Sequence, residues 1–233
     1  MVFNNVYVYI YVYIYIYMQT EDDWNTWSTI ERGDAYGYAK TKAEKTVWDD
    51  EELRSKIDVI VSFNPSVVLG PVYTKDHATK SSAASIYSVM TGRTLFETNI
   101  TFVDVRDICK GVLCAFTKDK VTVDGKRFIL NATDPMPCRT ALNDYVKKSH
   151  PEIPGAKLYM NATIASVAIW LGRNVSFLSK PLQYNEFYDK FLQQRGSYDN
   201  TRSKDVLGIG SYRSMDDTCR DTAESMKPFI DSK

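Results

Sequence analysis

Tyr36 and Lys40 lie four residues apart in the segment DAYGYAKTKAEKTVW, so on a helix their side chains would share one face, about one turn apart. An ammonium close to a phenol favours the phenolate and lowers the pKa of a tyrosine from about 10. Such a tyrosine can exchange a proton with a substrate oxygen near neutral pH, and the lysine can also bind ribose hydroxyls of a nicotinamide cofactor. Tyr38 and Lys42 have the same spacing, and such pairs are common on solvated helices, so spacing alone leaves the register open.

The segments around this pair predict the elements that must position it. Apolar residues recur near the helical period over residues 34–57, which predicts a helix of several turns. Its apolar stripe comprises Ala35, Ala39, Ala43, Val47 and Trp48.

A continuous apolar run over Ile57–Phe63, followed by Asn-Pro and Gly-Pro, predicts a buried parallel strand that runs into a loop. TFVDVRDICKGVLCAF predicts a short extended piece and a helix, and KRFILNA predicts another strand. This order indicates an α/β fold with a partial Rossmann-like parallel sheet. We expect Ile57–Phe63 to be central in that sheet, with the Tyr36 helix packed on one face.

Composition excludes several classes of function. Lys+Arg and Asp+Glu both number 29, and no basic stripe is evident, which argues against a nucleic-acid partner. The four cysteines form no C-x-x-C pair and there are only two histidines, so we predict no metal site. Scattered cysteines of this kind indicate a reducing, cytoplasmic location. We predict that His77 and His150 both lie on the surface.

The register of the helix is set by a resemblance. YGYAKTKAEKTVW resembles the active-site helix of the extended short-chain dehydrogenase/reductases, in the dihydroflavonol-4-reductase-like branch of the NAD-dependent epimerase/dehydratase family. In that pattern Tyr-x-x-x-Lys is followed, two residues later, by Ala-Glu-Lys and then by Trp. The tripeptide at 43–45 and Trp48 therefore place the pair on Tyr36 and Lys40.

Further segments agree with this resemblance in the right order. NPSVVLGP (64–71) resembles the loop of the family beside the nicotinamide, and FVDVRDICKG (102–111) resembles its Val-Asp-Val-Arg-Asp segment. The stretch from YDNTRSKDVLG to the end of DDTCRDTAESM (198–226) resembles its C-terminal stretch and closing helix. YMQTEDDWN resembles the loop before the active-site helix, so the likeness extends from about residue 19 to 230.

The resemblance implies an NAD(P)-dependent oxidoreductase acting on a CH-OH or carbonyl group of a small organic substrate. Tyr36 would be the general acid/base, and Lys40 would bind ribose and tune Tyr36. The residues implied to bind NADP or NAD are Tyr36, Lys40, Asn64, Pro65, Ser66 and Val67. A 3β-hydroxysteroid dehydrogenase-like or nucleotide-sugar enzyme remains the alternative in the same class, although Ala-Glu-Lys-x-x-Trp and the NPSVVLGP loop favour the reductase branch.

The sequence departs from the family pattern before the helix. It contains no Gly-x-x-Gly-x-x-Gly turn to hold the pyrophosphate, and residues 1–18 contain no Ser or Thr to hold a substrate carbonyl. Ser28 and Thr29 are too near the helix for that role. We therefore expect an N-terminally truncated chain, inactive alone, and a non-catalytic remnant or binding module is the alternative of another class.

The first eighteen residues explain that expectation. From Val6 to Tyr17, Tyr alternates with Val or Ile, which is compatible with a strand or a membrane-associated segment. The run is shorter than the roughly 20 residues of a membrane span. Because these codons can form a TA/TG repeat, we interpret 1–18 as a low-complexity tract that is not native. We assign 19–130 to the C-terminal part of a Rossmann-like domain and 131–233 mainly to a substrate lobe and closing helix.

The segment FVDVRDICKG contains a charged cluster that we interpret as structural. Asp104, Arg106 and Asp107 follow one another closely in FVDVRDICKG. We predict that they tie the sheet to the substrate lobe, and contact with the substrate is the alternative.

Overall fold

The computed structural model describes residues 17–96, 100–133, 141–160, 167, 170–172, 174–175 and 196–230, so nearly all of the Tyr/Val/Ile tract lies outside the described residues. The helices are α1 (Ala35–Asp49), α2 (Glu51–Lys56), α3 (Lys75–Lys80), α4 (Ala84–Thr91), α5 (Val105–Phe116), α6 (Lys120–Val123), α7 (Ala141–Ser149), α8 (Thr201–Asp205) and α9 (Met215–Met226). The strands are β1 (Tyr17–Gln19), β2 (Val61–Pro65), β3 (Val67–Leu69), β4 (Thr94–Phe96), β5 (Phe102–Asp104), β6 (Lys126–Leu130), β7 (Leu158–Met160) and β8 (Gly196–Tyr198).

The strands form parallel pairs, β1 with β8, β2 with β6, β3 with β5 and β4 with β7. At Ser66 the chain changes partner: the Ser66 amide donates to the carbonyl of Leu130 at 3.0 Å, and the Val67 amide donates to the carbonyl of Thr101 at 3.1 Å. Parallel strands that alternate with helices along the chain confirm the predicted α/β class with a partial Rossmann-like sheet.

Two details of the predicted elements are wrong. The predicted helix over 34–57 is two helices, because the side chain of Asp50 accepts the Leu53 amide at 2.8 Å and so caps the start of α2. Because α2 occupies Glu51–Lys56, the following strand begins later in the sequence than predicted. β2 begins at Val61 and is half-buried, whereas Ile57–Phe63 was predicted to be buried. It pairs with β6, and the strand β3 that follows it pairs with β5.

The orientation of α1 also differs from the prediction. None of its 15 residues is buried, and the alanine stripe is exposed. The half-exposed positions Gly37, Thr41, Glu44 and Trp48 instead form the face toward the sheet. This happens because Glu44 makes strong polar contacts with the strands, whereas alanine methyl groups offer little apolar area.

The largest apolar core lies between the β3–β5 pair and helices α4, α7 and α9. Phe102 and Ile86, both 0% exposed, come from β5 and α4, and Leu142 and Met226 from α7 and α9. A second core lies around β5 and β6 and includes Phe128. The ring of Phe128 stacks on that of Phe63 with centroids 6.1 Å apart.

The charged cluster at the start of α5 joins β5 to α9. Asp104, 1% exposed, accepts from the Arg106 amide at 2.8 Å and from the Thr218 hydroxyl at 3.0 Å. Arg106 forms ion pairs with Asp104 and with Asp221 of α9, each at 2.7 Å. Asp107 accepts from an amide just before α9. The cluster is therefore a structural tie, although its partner is the closing helix.

The two histidines have different environments. His77 is exposed, as predicted, but the prediction for His150 is wrong, because His150 is only 4% exposed. Its Nδ1 lies 2.9 Å from the Ser149 hydroxyl and its Nε2 lies 3.0 Å from a carboxylate oxygen of Glu224. These two contacts satisfy both ring nitrogens, which lets the side chain enter the core.

Two kinds of feature are absent from the described part of the chain. None of its helices combines the length and apolar character that a membrane crossing requires. In the same ranges no three side chains of the metal-binding types are grouped as ligands for an ion.

Candidate active site

The first two turns of α1 carry Tyr36 and Lys40. Asp34 caps the helix by accepting the Gly37 amide at 2.9 Å. The Tyr36 side chain is 75% exposed, and the Lys40 Nζ atom lies 5.7 Å from the centroid of its ring. Within the described residues, no acid forms an ion pair with Lys40. The tyrosine and the lysine are thus paired with each other and open to a ligand.

The pair lies at the rim of the face that α1 turns toward the sheet. With about 100° per residue, Lys40 is about 40° and Tyr36 about 80° around the helix from Glu44. Tyr38 is about 200° from Tyr36, so the two tyrosines cannot reach the same ligand atom. A ligand beside the sheet would therefore meet Tyr36 and Lys40.

Glu44 attaches α1 to two strands. Its Oε1 and Oε2 accept from Arg127 of β6 at 2.9 and 3.1 Å. The Ser62 hydroxyl donates to Oε1, and the Asn64 side-chain amide donates to Oε2 at 3.2 Å. Burial alone would raise the pKa of Glu44, but the hydrogen bonds from Arg127 and Ser62 outweigh it and lower the pKa. The carboxylate is therefore held ionised.

Arg127 also holds the loop before α1. Its Nη1 donates to the carbonyl oxygens of Glu21 and Asp23, the second at 2.9 Å. The guanidinium carbon lies 4.0 Å from the centroid of the Trp24 ring. The Glu21 carboxylate accepts the Ile129 amide at 3.0 Å. One side chain of β6 thus joins the strand to both the loop and the helix.

The four remaining predicted residues lie at the carboxyl end of β2. Asn64 and Pro65 end β2, Ser66 follows, and Val67 begins β3. The contact with Glu44 brings Asn64 to α1 one turn after Lys40. Val67 takes part through its backbone and by packing against the large core.

This end of the strand leaves polar atoms without partners. Among the described residues, Asn64 Oδ1, Ser66 Oγ and Asn131 Oδ1 are buried side-chain atoms with no hydrogen-bond partner. Asn131 directly follows β6, the partner of β2. Buried polar atoms are normally satisfied, so these three atoms suit a ligand that carries polar groups.

Two residues of this site were given no role by sequence reasoning. Glu44 was used only to set the register, and Arg127 was not considered. A signal was present, because Ser62 and Asn64 alternate on β2 and Arg127 is a charged residue in a strand. Polar side chains on one face of neighbouring strands indicate a polar partner above them.

Ser28 has a structural task. It is 8% exposed, donates to Asp34 and accepts from the Asn25 side-chain amide at 2.7 Å. Its hydroxyl therefore supports the cap of α1.

Sequence comparison finds relatives that are named as oxidoreductases. No known family profile matches the chain. A Saccharomyces cerevisiae protein named as an uncharacterized oxidoreductase, YGL039W, is 31% identical over 147 residues, which cover 58% of this chain and 41% of that protein. A Candida albicans protein named as NADPH-dependent methylglyoxal reductase GRP2 is 32% identical over 146 residues, with the same coverage.

Solved structures show the same fold. The Candida albicans Gre2 structure in complex with NADPH matches with a TM-score of 0.62 and 22% identity, over 91% of this chain and 58% of that one. A UDP-glucuronic acid 4-epimerase from Bacillus cereus in complex with NAD matches with a TM-score of 0.59 and 12% identity, over 92% and 58%. The chain thus spans less than two thirds of each of these four proteins. These relatives confirm the resemblance drawn from the motifs.

Proposed function

We propose that this chain, a relative of the extended short-chain dehydrogenase/reductases, carries the proton-transfer part of an NAD(P)-dependent oxidoreductase. The reaction would interconvert a carbonyl and an alcohol of a small organic substrate. The observation that carries the proposal is the Tyr36–Lys40 pair, exposed at the rim of α1, in which Lys40 forms no ion pair with an acid among the described residues. A phenol beside an ammonium is suited to exchange a proton with an oxygen.

The residues at the end of β2 fit the polar end of a nicotinamide. When bound, the dinucleotide would supply or accept the hydride. Asn64 Oδ1 can accept from the carboxamide and Ser66 Oγ can donate to it, since both are buried without a partner. Pro65 and Val67 would contribute shape, and Lys40 would donate to ribose hydroxyls. Tyr36 would then give its proton to the substrate oxygen.

The relatives favour one cofactor. The names of the Candida albicans proteins contain NADPH, whereas the epimerase structure contains NAD. We therefore propose NADPH as the cofactor and NAD as the alternative. A small carbonyl compound is the proposed substrate class, by analogy with the methylglyoxal reductase. A cytoplasmic location and the division at residues 18 and 130 stay predictions from sequence.

The chain as given is proposed to be inactive alone. It carries no glycine turn for the pyrophosphate, where much of the affinity for a dinucleotide arises. Losing contacts worth about 4 kcal/mol weakens binding roughly a thousandfold. Calorimetry should therefore detect no NADPH or NADH binding at micromolar concentrations, and micromolar affinity would contradict this part of the proposal.

The catalytic assignment is tested in a fusion. The glycine-turn half of the Candida albicans reductase is joined before residue 19, and NADPH oxidation is followed with small carbonyl substrates. Tyr36→Phe should lower kcat at least about a hundredfold with NADPH binding nearly unchanged. Lys40→Met should impair both binding and kcat.

Tyr38→Phe is the matched control on the same helix. Because Tyr38 lies about 200° from Tyr36, this variant should keep full activity. Loss of turnover with Tyr38→Phe but not with Tyr36→Phe would move the assignment to Tyr38 and Lys42. A fusion that binds NADPH but reduces none of the substrates would favour a binding module.

A further inference from the structure

Lys40 has a second candidate partner that it does not use. Glu44 follows it by four residues on α1, a spacing at which opposite charges pair on a helix surface. Yet the Lys40 Nζ atom lies 5.7 Å from the centroid of the Tyr36 ring, and no ion pair between Lys40 and Glu44 is found among the described residues. Another group must therefore satisfy Glu44.

Both oxygens of that carboxylate are occupied. Arg127 donates to Oε1 at 2.9 Å and to Oε2 at 3.1 Å, in the forked geometry that matches guanidinium to carboxylate. Ser62 and Asn64 add one hydrogen bond to each oxygen. The side chains of Arg127 and Glu44 are each only 16% exposed, so solvent screens the pair weakly.

We propose that Arg127 is a positioning residue for the Tyr36–Lys40 pair: by engaging Glu44 it keeps that carboxylate from drawing Lys40 away from Tyr36. Arg127 acts through Glu44 and contacts neither residue of the pair. The role in catalysis rests on the function proposed above, whereas the control of the Lys40 side chain rests on geometry alone.

The other charged groups nearby do not offer Glu44 a substitute for Arg127. Lys45 directs its ammonium to the Trp24 ring, at 5.1 Å from the centroid. Arg127 itself is fixed on its other side by the carbonyl oxygens of Glu21 and Asp23 and by Trp24. Without Arg127, Glu44 would keep three neutral donors, Ser62, Asn64 and Trp48, and an uncompensated charge. Lys40 is the cation at the i−4 position, one helical turn away on the same face.

The test follows the position of Lys40 directly. The full chain is labelled with 13C-lysine, and the Lys40 Hε signals are assigned with Lys40→Arg. The Tyr36 ring should shift these signals upfield, and Tyr36→Leu calibrates the loss of that shift. Arg127→Leu should abolish the shift, whereas Arg127→Lys should keep most of it. Arg54→Leu is the matched control, because it breaks a remote pair with Asp124 and should leave the shift unchanged.

The double variant Arg127→Leu/Glu44→Gln distinguishes a change in the position of the Lys40 side chain from a general loss of structure. It removes the competing charge, so the Lys40 shift should return. A shift that survives in Arg127→Leu, or that stays lost in the double variant, would overturn the proposal. If Arg127→Leu loses its near-UV circular dichroism, Arg127→Gln takes its place, and loss of the fold in both of these variants and in Arg127→Lys would show a purely structural role.

The fusion protein connects this inference to catalysis. Arg127→Leu should lose part of the contribution of about 10²–10⁴-fold that a positioned general acid makes to kcat, and the double variant should recover it with a similar KM. Unchanged kcat in Arg127→Leu would contradict the catalytic part. If the fusion has no activity at all, the proposed function fails, and the NMR result still decides whether Arg127 controls Lys40.

Discussion

Helices α1 and α9 differ in how much of their surface is buried. None of the 15 residues of α1 is buried, and it reaches the sheet through one carboxylate, Glu44. Five of the 12 residues of α9 are buried. They are Thr218, Cys219, Thr222, Ala223 and Met226. Helix α1 is attached by directed polar contacts without apolar burial, whereas α9 combines apolar burial with the polar contacts from Asp104 and Arg106.

The difference separates placement from stability. Apolar burial is favourable in many orientations, so it adds stability to α9, while the contacts of Thr218 and Asp221 with Asp104 and Arg106 fix the rotation of that helix. A forked ion pair requires defined distances and angles, so it fixes the rotation of α1 while adding less free energy. The helix with the proposed catalytic pair therefore depends for its orientation mainly on the polar contacts of Glu44, with no apolar burial to add to them.

The largest expected effect lies in the apolar region. Met226→Ala should lower the free energy of unfolding by about 2–5 kcal/mol, because Met226 is 0% exposed and leaves a cavity. Urea denaturation measures this loss. Phe116→Ala is the control, since Phe116 is 83% exposed and its loss should stay within about 0.5 kcal/mol. Similar losses in both variants would remove the contrast between the regions.

A smaller effect is expected in the polar region. Glu44→Gln should cost about 1–3 kcal/mol, because the charged hydrogen bonds to Arg127 are lost in a partly buried site. Hydrogen exchange should show the α1 amides losing protection while those of α9 keep theirs. Glu52→Gln is the control: its pair with Lys56 is exposed at both ends, so the cost should be under about 0.5 kcal/mol.

The apolar region should also respond to alkaline pH. Burial raises the pKa of the Cys219 thiol from 9.0 to about 12. Its contribution to stability is therefore complete below pH 9 and falls by about 1.4 kcal/mol per pH unit above it, because the unfolded thiol ionises first. Burial also raises the pKa of Tyr212 to about 12, so Cys219→Ala should remove only part of the slope. Equal slopes for both proteins, from urea midpoints at several pH values, would contradict this prediction.

The smallest expected effect is confined to α1 and occurs at acidic pH. The pKa of Glu44 lies below its ordinary 4.5, so its contribution is present above pH 4.5 and is lost as the pH falls through the folded value. Exchange of the α1 amides, corrected for intrinsic rates, should accelerate in that range. Glu44→Gln should show no such step, and a step of equal size in Glu44→Gln would assign the effect to another carboxyl group.

The sequence predicts the elements of this fold better than their packing. Helical spacing places α1 and α5 correctly, and the apolar run of KRFILNA gives β6, because these patterns are local. The alanine stripe was assigned to the wrong face, since the decisive partner of α1, Arg127, is 83 residues from Glu44. His150 was placed on the surface because its partner Glu224 is equally remote in sequence.

The candidate site shows the same contrast between local sequence patterns and long-range contacts. Local spacing and motif resemblance propose Tyr36, Lys40 and the residues from Asn64 to Val67, and the structure brings Asn64 to α1. The contacts that position them depend on strand neighbours that no local pattern reveals. Alternating polar residues on β2 and a charged residue in β6 were the available hint.

The large sequence separation between Arg127 and its partners has a consequence for folding during synthesis. Its contacts span 83 residues to Glu44 and 106 residues to the carbonyl of Glu21. At about 5–20 residues per second, roughly 4–17 s pass between the synthesis of Glu44 and that of Arg127. Helix α1 thus emerges from the ribosome well before its anchor, and its exposed surface must stay soluble throughout that interval. An alanine-rich, charged outer face suits a helix that stays exposed to solvent before it can bind Arg127.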